Sequence, residues 1–162
     1  MNTILITGGA GFIGSQLGER LLEKGHKVFA LDNLDPYYST DLKKSNLHRL
    51  SSYDNFEFIS GDVRNKEALE QLFERISFDV VVHLAAKVGV RPSLDEPEEY
   101  FDVNVQGTLA LMEAMRNSDI KKLIFASSSS VYGNSRNTPF QESQDVNMPV
   151  SPYAASKKAG EL

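Results

Sequence analysis

The segment that organises this chain reads Thr7-Gly8-Gly9-Ala10-Gly11-Phe12-Ile13-Gly14. It follows the apolar run Ile4-Leu5-Ile6 and precedes an amphipathic stretch of leucines, so we predict a strand, a glycine turn and a helix. Gly8 allows a tight turn, Gly11 allows a phosphate to approach the backbone, and Gly14 allows the helix to pack closely on the strand. The free N–H groups of the helix N-terminus favour an anion, which predicts a pyrophosphate site. A glycine triplet alone also fits an ordinary strand-to-helix turn, but here both flanking elements of a dinucleotide site are present.

Composition indicates a soluble globular protein. The 162 residues suffice for about one domain with a real core, and 41% hydrophobic and 24% charged residues are ordinary values. The net charge of −5 gives no reason to expect nucleic acid or an anionic membrane as a partner. Cysteine is absent, which excludes a disulfide framework and a thiolate metal site, and we predict no metal centre. The N-terminus does not resemble a signal peptide and no apolar run reaches membrane-spanning length, so we expect a cytoplasmic protein.

Strand and helix patterns alternate along the whole chain. After the first strand we predict four more, at Lys27–Leu31, Phe56–Ile59, Val80–Leu84 and Leu123–Ala126. Several of these runs are apolar throughout, as expected of parallel strands covered by helices on both faces. Helical patterns lie between them, including Glu67–Arg75 and a long one at Glu98–Arg116. The fold class is therefore α/β, a doubly wound parallel sheet of the Rossmann type over residues 1–162.

Acidic and small residues follow the predicted strands, at the edge of the sheet where ligands bind in such folds. Asp32 ends the second strand and can bond ribose hydroxyls, and its charge would repel a 2′-phosphate, which favours NAD over NADP. A helix or turn cap is the alternative for Asp32. Asp62 can accept from the adenine amino group, although an ordinary turn aspartate fits the sequence nearly as well. Leu84-Ala85-Ala86 leaves room for a cofactor, and we interpret His83 before it as a packed core histidine.

Residues with catalytic chemistry come late in the chain. Ser127-Ser128-Ser129-Ser130 follows the fifth strand and places hydroxyls at the ligand edge of the sheet. Ser151 and Pro152 then predict a helix start, with Ser151 as the cap. Tyr153 and Lys157 are four residues apart and share one face of that helix, where an ammonium, the helix N-terminus and an oxidised nicotinamide would all favour phenolate. A chance Tyr-x-x-x-Lys on a solvated helix is the alternative interpretation.

Taken together, these motifs resemble the extended short-chain dehydrogenase/reductases. The resemblance is carried by Thr7 to Gly14, by the serines before Val131-Tyr132-Gly133, and by the pair Tyr153 and Lys157. It is closer to the NAD-dependent epimerase/dehydratase group that acts on nucleotide sugars. The stretches Asp32 to Tyr38, Gly89 to Arg91 and Ser127 to Gly133 resemble UDP-glucuronate 4-epimerases in particular. The resemblance spans essentially the whole chain and implies NAD as cofactor, a nucleotide sugar as substrate, and epimerisation at C4 through a transient 4-keto sugar.

The resemblance also implies a role for each matched position. The implied cofactor-binding residues are Gly8, Gly11, Phe12, Ile13, Gly14, Asp32, Asn33, Asp62, Val63, Leu84, Ala85, Ala86, Lys87, Tyr153 and Lys157. The implied catalytic residues are Ser128, Tyr153 and Lys157, with Tyr153 as the base, Ser128 bonding the same sugar oxygen and Lys157 tuning the tyrosine. The implied substrate-binding residues are Arg91, Ser127, Ser128 and Ser129. Arg91, in the loop after the fourth strand, would meet the glucuronate carboxylate; a solvated loop charge or a pair with Asp95 or Glu96 is the alternative.

Members of this family continue for roughly as long again, into a C-terminal region that binds the sugar nucleotide. We therefore expect residues 1–162 to form an NAD-binding Rossmann domain that is incomplete and lacks the substrate-binding region. Two other functions stay open: a dehydratase or decarboxylase of the same group, and a non-catalytic dinucleotide-binding module. Dehydratases place Asp-Glu directly after the catalytic Ser/Thr, where this chain has Ser129 and Ser130. The helix Glu98–Arg116 is apolar on two faces, and the resemblance implies a full-length homodimer through this helix and the helix of Tyr153.

Overall fold

Five parallel strands with helices on both faces make up the computed structural model, which describes residues 1–162. The strands are β1 (Thr3–Thr7), β2 (Lys27–Asp32), β3 (Phe56–Ser60), β4 (Val80–His83) and β5 (Leu123–Phe125). The helices are α1 (Phe12–Glu23), α2 (Thr40–Leu50), α3 (Lys66–Arg75), α4 (Val90–Asp95), α5 (Pro97–Phe101), α6 (Gly107–Arg116) and α7 (Pro152–Glu161). A π-helical turn at Asp102–Gln106 joins α5 to α6, and a 3-10 turn at Ser129–Tyr132 follows β5.

The strand order in the sheet is β3-β2-β1-β4-β5. The chain therefore builds outward from β1 in one direction and then, after β3, returns to the other side of β1. Every neighbouring pair is parallel, with Ile4 opposite both Val28 and Val80. This order confirms the predicted doubly wound sheet and places its topological switch point between β1 and β4, where such folds bind ligands.

Alternate residues of the strands pack into two separate hydrophobic cores, one on each face of the sheet. Leu5, Phe29 and Val81 point to the face covered by α3 and α6, where they join Leu69 and Leu111. The intervening strand residues Ile4, Ile6, Val28 and Val82 point to the other face and pack with Leu22 of α1 and Leu50 of α2. Burial on both faces explains why the strands are apolar throughout rather than alternating.

The helices differ from the sequence-based prediction in three places. Helix α2 was not predicted, because it is strongly polar and buries only Lys43 and Leu50. The predicted helix Glu98–Arg116 begins at Pro97 and contains the π-turn. Arg91 lies in the short helix α4, so its assignment to a loop was wrong; the 6 residues after Gly89 are helical, and Pro97 then starts the next helix.

The fourth and fifth strands are each one residue shorter than predicted, ending at His83 and Phe125. Leu84 and Ala126 therefore belong to the loops that line the ligand edge. No helix of the chain combines the length and the apolar character needed to cross a membrane.

Candidate functional site

A cleft of about 350 Å³ runs along the carboxyl edge of the sheet, across the switch point. Its lining contains each residue that the sequence predicted to bind the cofactor: Gly8, Gly11, Phe12, Ile13, Gly14, Asp32, Asn33, Asp62, Val63, Leu84, Ala85, Ala86, Lys87, Tyr153 and Lys157. These residues come from the ends of four strands and from α1 and α7, so the fold gathers them from distant parts of the chain.

The glycine turn forms the centre of the cleft floor. Gly8 has a φ of +70° and donates its N–H to Leu31 O at 2.8 Å, so the turn bends tightly from β1 across β2. A Cβ at Gly8 would lie 2.8 Å from Ala85 N, and a Cβ at Gly14 would overlap the carbonyl oxygen of Gly8. No side chain caps the N-terminus of α1, so the N–H groups of Phe12 and Ile13 lack acceptors within the helix, and both residues line the cleft.

Asp32 is buried at one end of the cleft and its carboxylate is already bonded. Oδ2 accepts from Ala10 N at 3.1 Å, and Oδ1 accepts from Leu34 N at 2.8 Å. Oδ1 also lies 3.3 Å from Nζ of Lys43, which is 6% exposed and lines the same cleft. The sequence interpretation missed Lys43, because the polar helix α2 that carries it was not predicted. Ser39-Thr40-Asp41, a common kind of helix start, was the available signal.

Asp62 sits in a second charged cluster beside Asp32. Arg64 bonds both of its oxygens, through Nε at 2.9 Å and Nη2 at 2.7 Å, and also reaches Asp102 at 2.7 Å. Asn33 Nδ2 donates to Asp62 Oδ2 at 3.0 Å. These hydrogen bonds, chiefly those from Arg64, lower the pKa of Asp62 to about 2, so this carboxylate is ionised at neutral pH.

The segment Ala85–Lys87 is held in place by a buried asparagine from the π-turn. Asn104 Oδ1 accepts from Lys87 N at 2.8 Å, and its Nδ2 donates to Lys87 O at 2.9 Å and to Ser156 Oγ at 2.9 Å. Asn104 thereby joins the cofactor-lining segment to helix α7. The sequence interpretation missed it; an asparagine inside an otherwise apolar helical stripe was the available signal, because asparagine is a poor interior helix residue.

Helix α7 begins as predicted, with Pro152 in its first turn and Ser151 Oγ accepting from Ala154 N at 3.0 Å. Tyr153 and Lys157 face the cleft from this helix. Lys157 is 4% exposed, has no carboxylate within 4.0 Å and lies 4.7 Å from the centre of the Phe125 ring. Burial lowers the pKa of Lys157 to about 8, so little in the surroundings offsets the cost of burying its ammonium charge.

The predicted substrate-binding residues are more scattered. Ser127 lines the cleft and donates its hydroxyl to Glu161 Oε1 at the end of α7. Ser128 and the exposed Ser129 lie outside the lining; Ser128 Oγ accepts from Ser130 N at 3.2 Å and caps the 3-10 turn. Arg91 is exposed on α4 and also lies outside the lining. The structure thus brings only Ser127 of this set into the cleft.

His83 is buried with 1% exposure, and both ring nitrogens are within hydrogen-bond distance of threonine hydroxyls. Burial, reinforced by the charge of Lys157, lowers its pKa to about 4. The interpretation of His83 as a packed core histidine is therefore confirmed.

The sheet order and the cleft define a Rossmann-type α/β protein with a tyrosine–lysine pair at the carboxyl edge of its sheet. The chain belongs to the family described as GDP-mannose 4,6 dehydratase, whose model matches residues 5–162.

Several relatives of known name resemble the whole chain. A UDP-glucuronate 4-epimerase of Thermodesulfobacterium geofontis is 46% identical over 162 residues, which are 100% of this chain and 50% of that protein. A Bacillus cereus UDP-glucuronic acid 4-epimerase variant, in complex with UDP-4-deoxy-4-fluoro-glucuronic acid and NAD, superposes with a TM-score of 0.88 at 35% identity over 98% of this chain and 50% of that one. The UDP-Glc/GlcNAc 4-epimerase of Campylobacter jejuni has a TM-score of 0.91 at 33% identity, covering 99% of this chain and 47% of that one. The chain spans about half the length of these relatives.

Proposed function

We propose that residues 1–162 form the NAD-binding domain of a nucleotide-sugar 4-epimerase, with UDP-glucuronate as the substrate. The observation that carries the proposal is the position of Tyr153 and Lys157. Both face the cleft that also contains the glycine turn and Asp32, so a proton-transfer pair and a dinucleotide site share one cavity. The relatives named UDP-glucuronate 4-epimerase support the choice of substrate.

The residues present fit NAD at three points of the cleft. The backbone at Gly8 and Gly14 leaves no room for a Cβ, so the close approach of main chain that a pyrophosphate needs is built in. The N–H groups at the N-terminus of α1 would bond the phosphates. Asp32 would bond the adenosine ribose, and Lys157 would bond the nicotinamide ribose with donors that no carboxylate occupies. Bound NAD would supply the acceptor and donor of a hydride at the sugar C4.

The chain's own residues would handle the proton. Tyr153 would take the proton of the 4-hydroxyl and return it after the 4-keto sugar has turned over. Lys157, buried next to it on α7, would favour the phenolate form through its charge. Ser128 Oγ accepts from Ser130 N, which leaves its hydroxyl hydrogen available to donate to the sugar oxygen. Because hydride leaves and returns to C4, the reaction needs no net reduction or oxidation.

The choice of NAD over NADP follows from Asp32, whose carboxylate would face an added 2′-phosphate. Isothermal titration calorimetry of both cofactors against this chain tests it, and we expect NAD to bind more tightly. Tighter binding of NADP would refute the role of Asp32. Lys43 makes this test informative, because its ammonium lies beside the same carboxylate.

The reaction itself is tested in the chain joined to the second half of the Thermodesulfobacterium geofontis relative. We expect UDP-glucuronate to convert to UDP-galacturonate, observed by NMR of the sugar H4, and Tyr153→Phe to abolish the conversion. NAD binding without any turnover would instead support the non-catalytic module.

The substrate carboxylate is tested through Arg91. In the same joined protein, Arg91→Ala should lower kcat/KM for UDP-glucuronate by roughly ten- to a hundredfold, with a much smaller loss for UDP-glucose. Arg75→Ala, an exposed arginine at the opposite edge of the sheet, is the matched control. Equal losses on both sugars would mean that Arg91 only shapes helix α4.

A dehydratase or decarboxylase is the second candidate, because the matching family model carries a dehydratase description. Dehydration needs an additional acid and base after the catalytic serine, where this chain offers the hydroxyls of Ser129 and Ser130. Mass spectrometry separates the three reactions. An epimer has unchanged mass, a dehydrated product is lighter by one water, and a decarboxylated product is lighter by one carbon dioxide.

We also propose a homodimer for the full-length protein. On the helix from Pro97 to Arg116, Tyr100 and Leu111 are buried, whereas Phe101, Leu109 and Met112 are 43%, 51% and 47% exposed. A second copy would cover this exposed stripe. Light scattering of the joined protein at micromolar concentration tests it: we expect a dimer that Leu109→Glu weakens, and a monomeric parent protein would refute it.

A further inference from the structure

A chain of buried hydrogen bonds runs behind the cleft and has no part in the chemistry above. Thr7 Oγ1 lies 2.6 Å from His83 Nδ1, and His83 Nε2 lies 2.9 Å from Thr108 Oγ1. Thr108 donates its hydroxyl to Asn104 O at 2.6 Å, and Ala85 N donates to Thr7 Oγ1 at 3.2 Å. Thr7, His83, Thr108 and Asn104 are 0%, 1%, 4% and 2% exposed, so bulk water cannot replace a lost partner.

The groups at the two ends of this series of hydrogen bonds determine which atom donates in each bond. Asn104 O carries no hydrogen, so Thr108 must use its single hydroxyl hydrogen there and can only accept from His83. His83 Nε2 therefore carries a proton. At the other end, the Ala85 N–H can only donate, so Thr7 accepts from it and directs its own hydroxyl hydrogen to Nδ1 of His83.

The other protonation states of His83 leave groups without partners. With the proton on Nδ1, Thr7 would accept twice and its own hydrogen would have no acceptor in the chain of bonds, while Thr108 would have to abandon Asn104 O. An imidazolium, which is protonated on both nitrogens, also leaves the hydroxyl hydrogen of Thr7 without an acceptor. Burial and the charge of Lys157, which lower the pKa of His83 to about 4, also favour the neutral ring.

The bonds link parts of the cleft that lie far apart in sequence. Thr7 immediately precedes Gly8 of the glycine turn, and Ala85 lines the cleft. Asn104, at the far end, holds Lys87 through two backbone bonds and Ser156 on α7. His83 itself does not line the cleft. Its only polar contacts are the two threonines, one on each side.

We propose that His83, fixed as its neutral Nε2–H tautomer between Thr7 and Thr108, is a positioning residue for the cofactor cleft. It holds the glycine turn, the segment Ala85–Lys87 and the contact of Asn104 with α7 in fixed positions relative to one another. The role rests on the proposed function in so far as the cleft binds NAD, whereas the tautomer is a property of the chain without ligand.

The tautomer is measured by two-bond ¹H–¹⁵N correlation NMR of the unliganded chain at pH 7. The chain has three histidines, which makes assignment simple. We expect His83 to show a protonated Nε2 and a bare Nδ1. A bare Nε2, or a signal averaged between the two forms, would overturn the proposal whatever the cleft binds.

The positioning role is tested at Thr108, because replacing His83 itself could prevent folding. Thr108→Val keeps the shape but removes the acceptor of His83 Nε2–H, and Thr108→Ser keeps the hydroxyl and serves as the control. In the valine variant we expect the proton to move to Nδ1, hydrogen exchange at the Ala85 amide to quicken about tenfold, and the Kd for NAD to rise about tenfold. The serine variant should stay within about twofold of wild type in all three measurements.

Two results would overturn the positioning role while leaving NAD binding intact. One is a valine variant that binds NAD like the wild type. The other is a serine variant that loses as much affinity as the valine variant, which would show that bulk rather than the hydroxyl matters. If the wild-type chain binds no NAD, the proposed function fails, and the positioning role then stands or falls on the Ala85 exchange rates alone.

Discussion

Lys43 and Lys157 are buried lysines at the two ends of one cleft, with 6% and 4% exposure, yet their surroundings are opposite. Lys43 lies 3.3 Å from the Asp32 carboxylate, and the neighbouring Asp62 is bound by Arg64. Lys157 has an aromatic ring and no carboxylate beside it. At the first end, which we call the paired end, the protein supplies its own countercharge. At the second, the unpaired end, a cation is left for a ligand to satisfy, which is the arrangement expected where charge changes during a reaction.

A substitution between the two ends should disable both of them and have the largest effect. Gly14→Ala would drive a Cβ into the backbone of Gly8 and Gly9, so the turn must open. We expect NAD binding to be lost and the free energy of unfolding to fall by more than about 3 kcal/mol. Calorimetry and urea denaturation measure the two effects.

Gly18→Ala, one helical turn further along α1, is the matched control. Its added Cβ would lie 3.6 Å from Leu50 Cδ1 and 3.8 Å from Ile6 Cδ1, which are ordinary contacts. This variant should bind NAD normally and be as stable as wild type or up to about 1 kcal/mol more stable. A Gly14→Ala variant that behaves like Gly18→Ala would contradict the tight turn.

Replacing each of the two lysines by methionine should change the stability of the fold in opposite directions. At the paired end, Lys43→Met leaves Asp32 buried with its charge and without its partner, although two backbone N–H groups remain bonded to it. Breaking a buried pair in this way costs about 3–5 kcal/mol, and the two remaining bonds place our expectation at about 3 kcal/mol of destabilisation. Asp32→Asn with Lys43→Met should recover part of the loss. A single variant as stable as wild type would show that the pair contributes nothing.

At the unpaired end, Lys157→Met should stabilise the chain. The pKa of Lys157 falls from 10.5 to about 8 on folding, so below pH 8 both states are protonated and the folded state bears the full cost of burying the charge. That cost corresponds to about 3 kcal/mol. As pH rises from 8 to 10.5, the unfolded state binds more protons than the folded state, and the wild type gains stability.

The advantage of Lys157→Met is therefore expected to be about 3 kcal/mol at pH 7 and to vanish near pH 10.5, as urea denaturation of both proteins across this range would show. In the joined protein the same variant should have lost its turnover. A variant that is less stable than wild type at pH 7 would mean that the Phe125 ring compensates the buried charge.

The contrast between the ends also explains which features could be predicted from the sequence. The sheet, the glycine turn and the start of α7 follow from local patterns, because apolar runs, glycine spacing and a Ser-Pro cap act on neighbouring residues. Lys43 and Asn104 could not be found in this way, since their roles depend on partners eleven to fifty-two positions away in the chain.

The serines illustrate a different limit of sequence reasoning. Four consecutive hydroxyls after β5 all suit a ligand edge, but the local backbone turns only Ser127 into the lining and uses Ser128 as the cap of a 3-10 turn. Arg91 could not be placed for a similar reason. Whether the residues after Gly89 form a loop or a short helix depends on packing against α5 and α7 rather than on their identity.

The smallest effect that we expect comes from the Asp62–Arg64 pair at the paired end. The pKa of Asp62 falls from 3.8 to about 2 because Arg64 donates to both of its oxygens, so this carboxylate stabilises the fold above pH 3.8 and the contribution is lost as pH falls towards 2. Since Asp62 is 27% exposed and Arg64 40% exposed, solvent screening limits the contribution to about 1 kcal/mol.

Arg64→Met should remove this contribution at pH 6 and move the carboxyl pKa of Asp62, followed by ¹³C NMR, back towards 3.8. Asp102→Asn, which removes only the second partner of Arg64, is the control and should leave that pKa in place. If Asp62 still titrates near 2 without Arg64, Asn33 and the backbone N–H of residue 64 hold its charge instead.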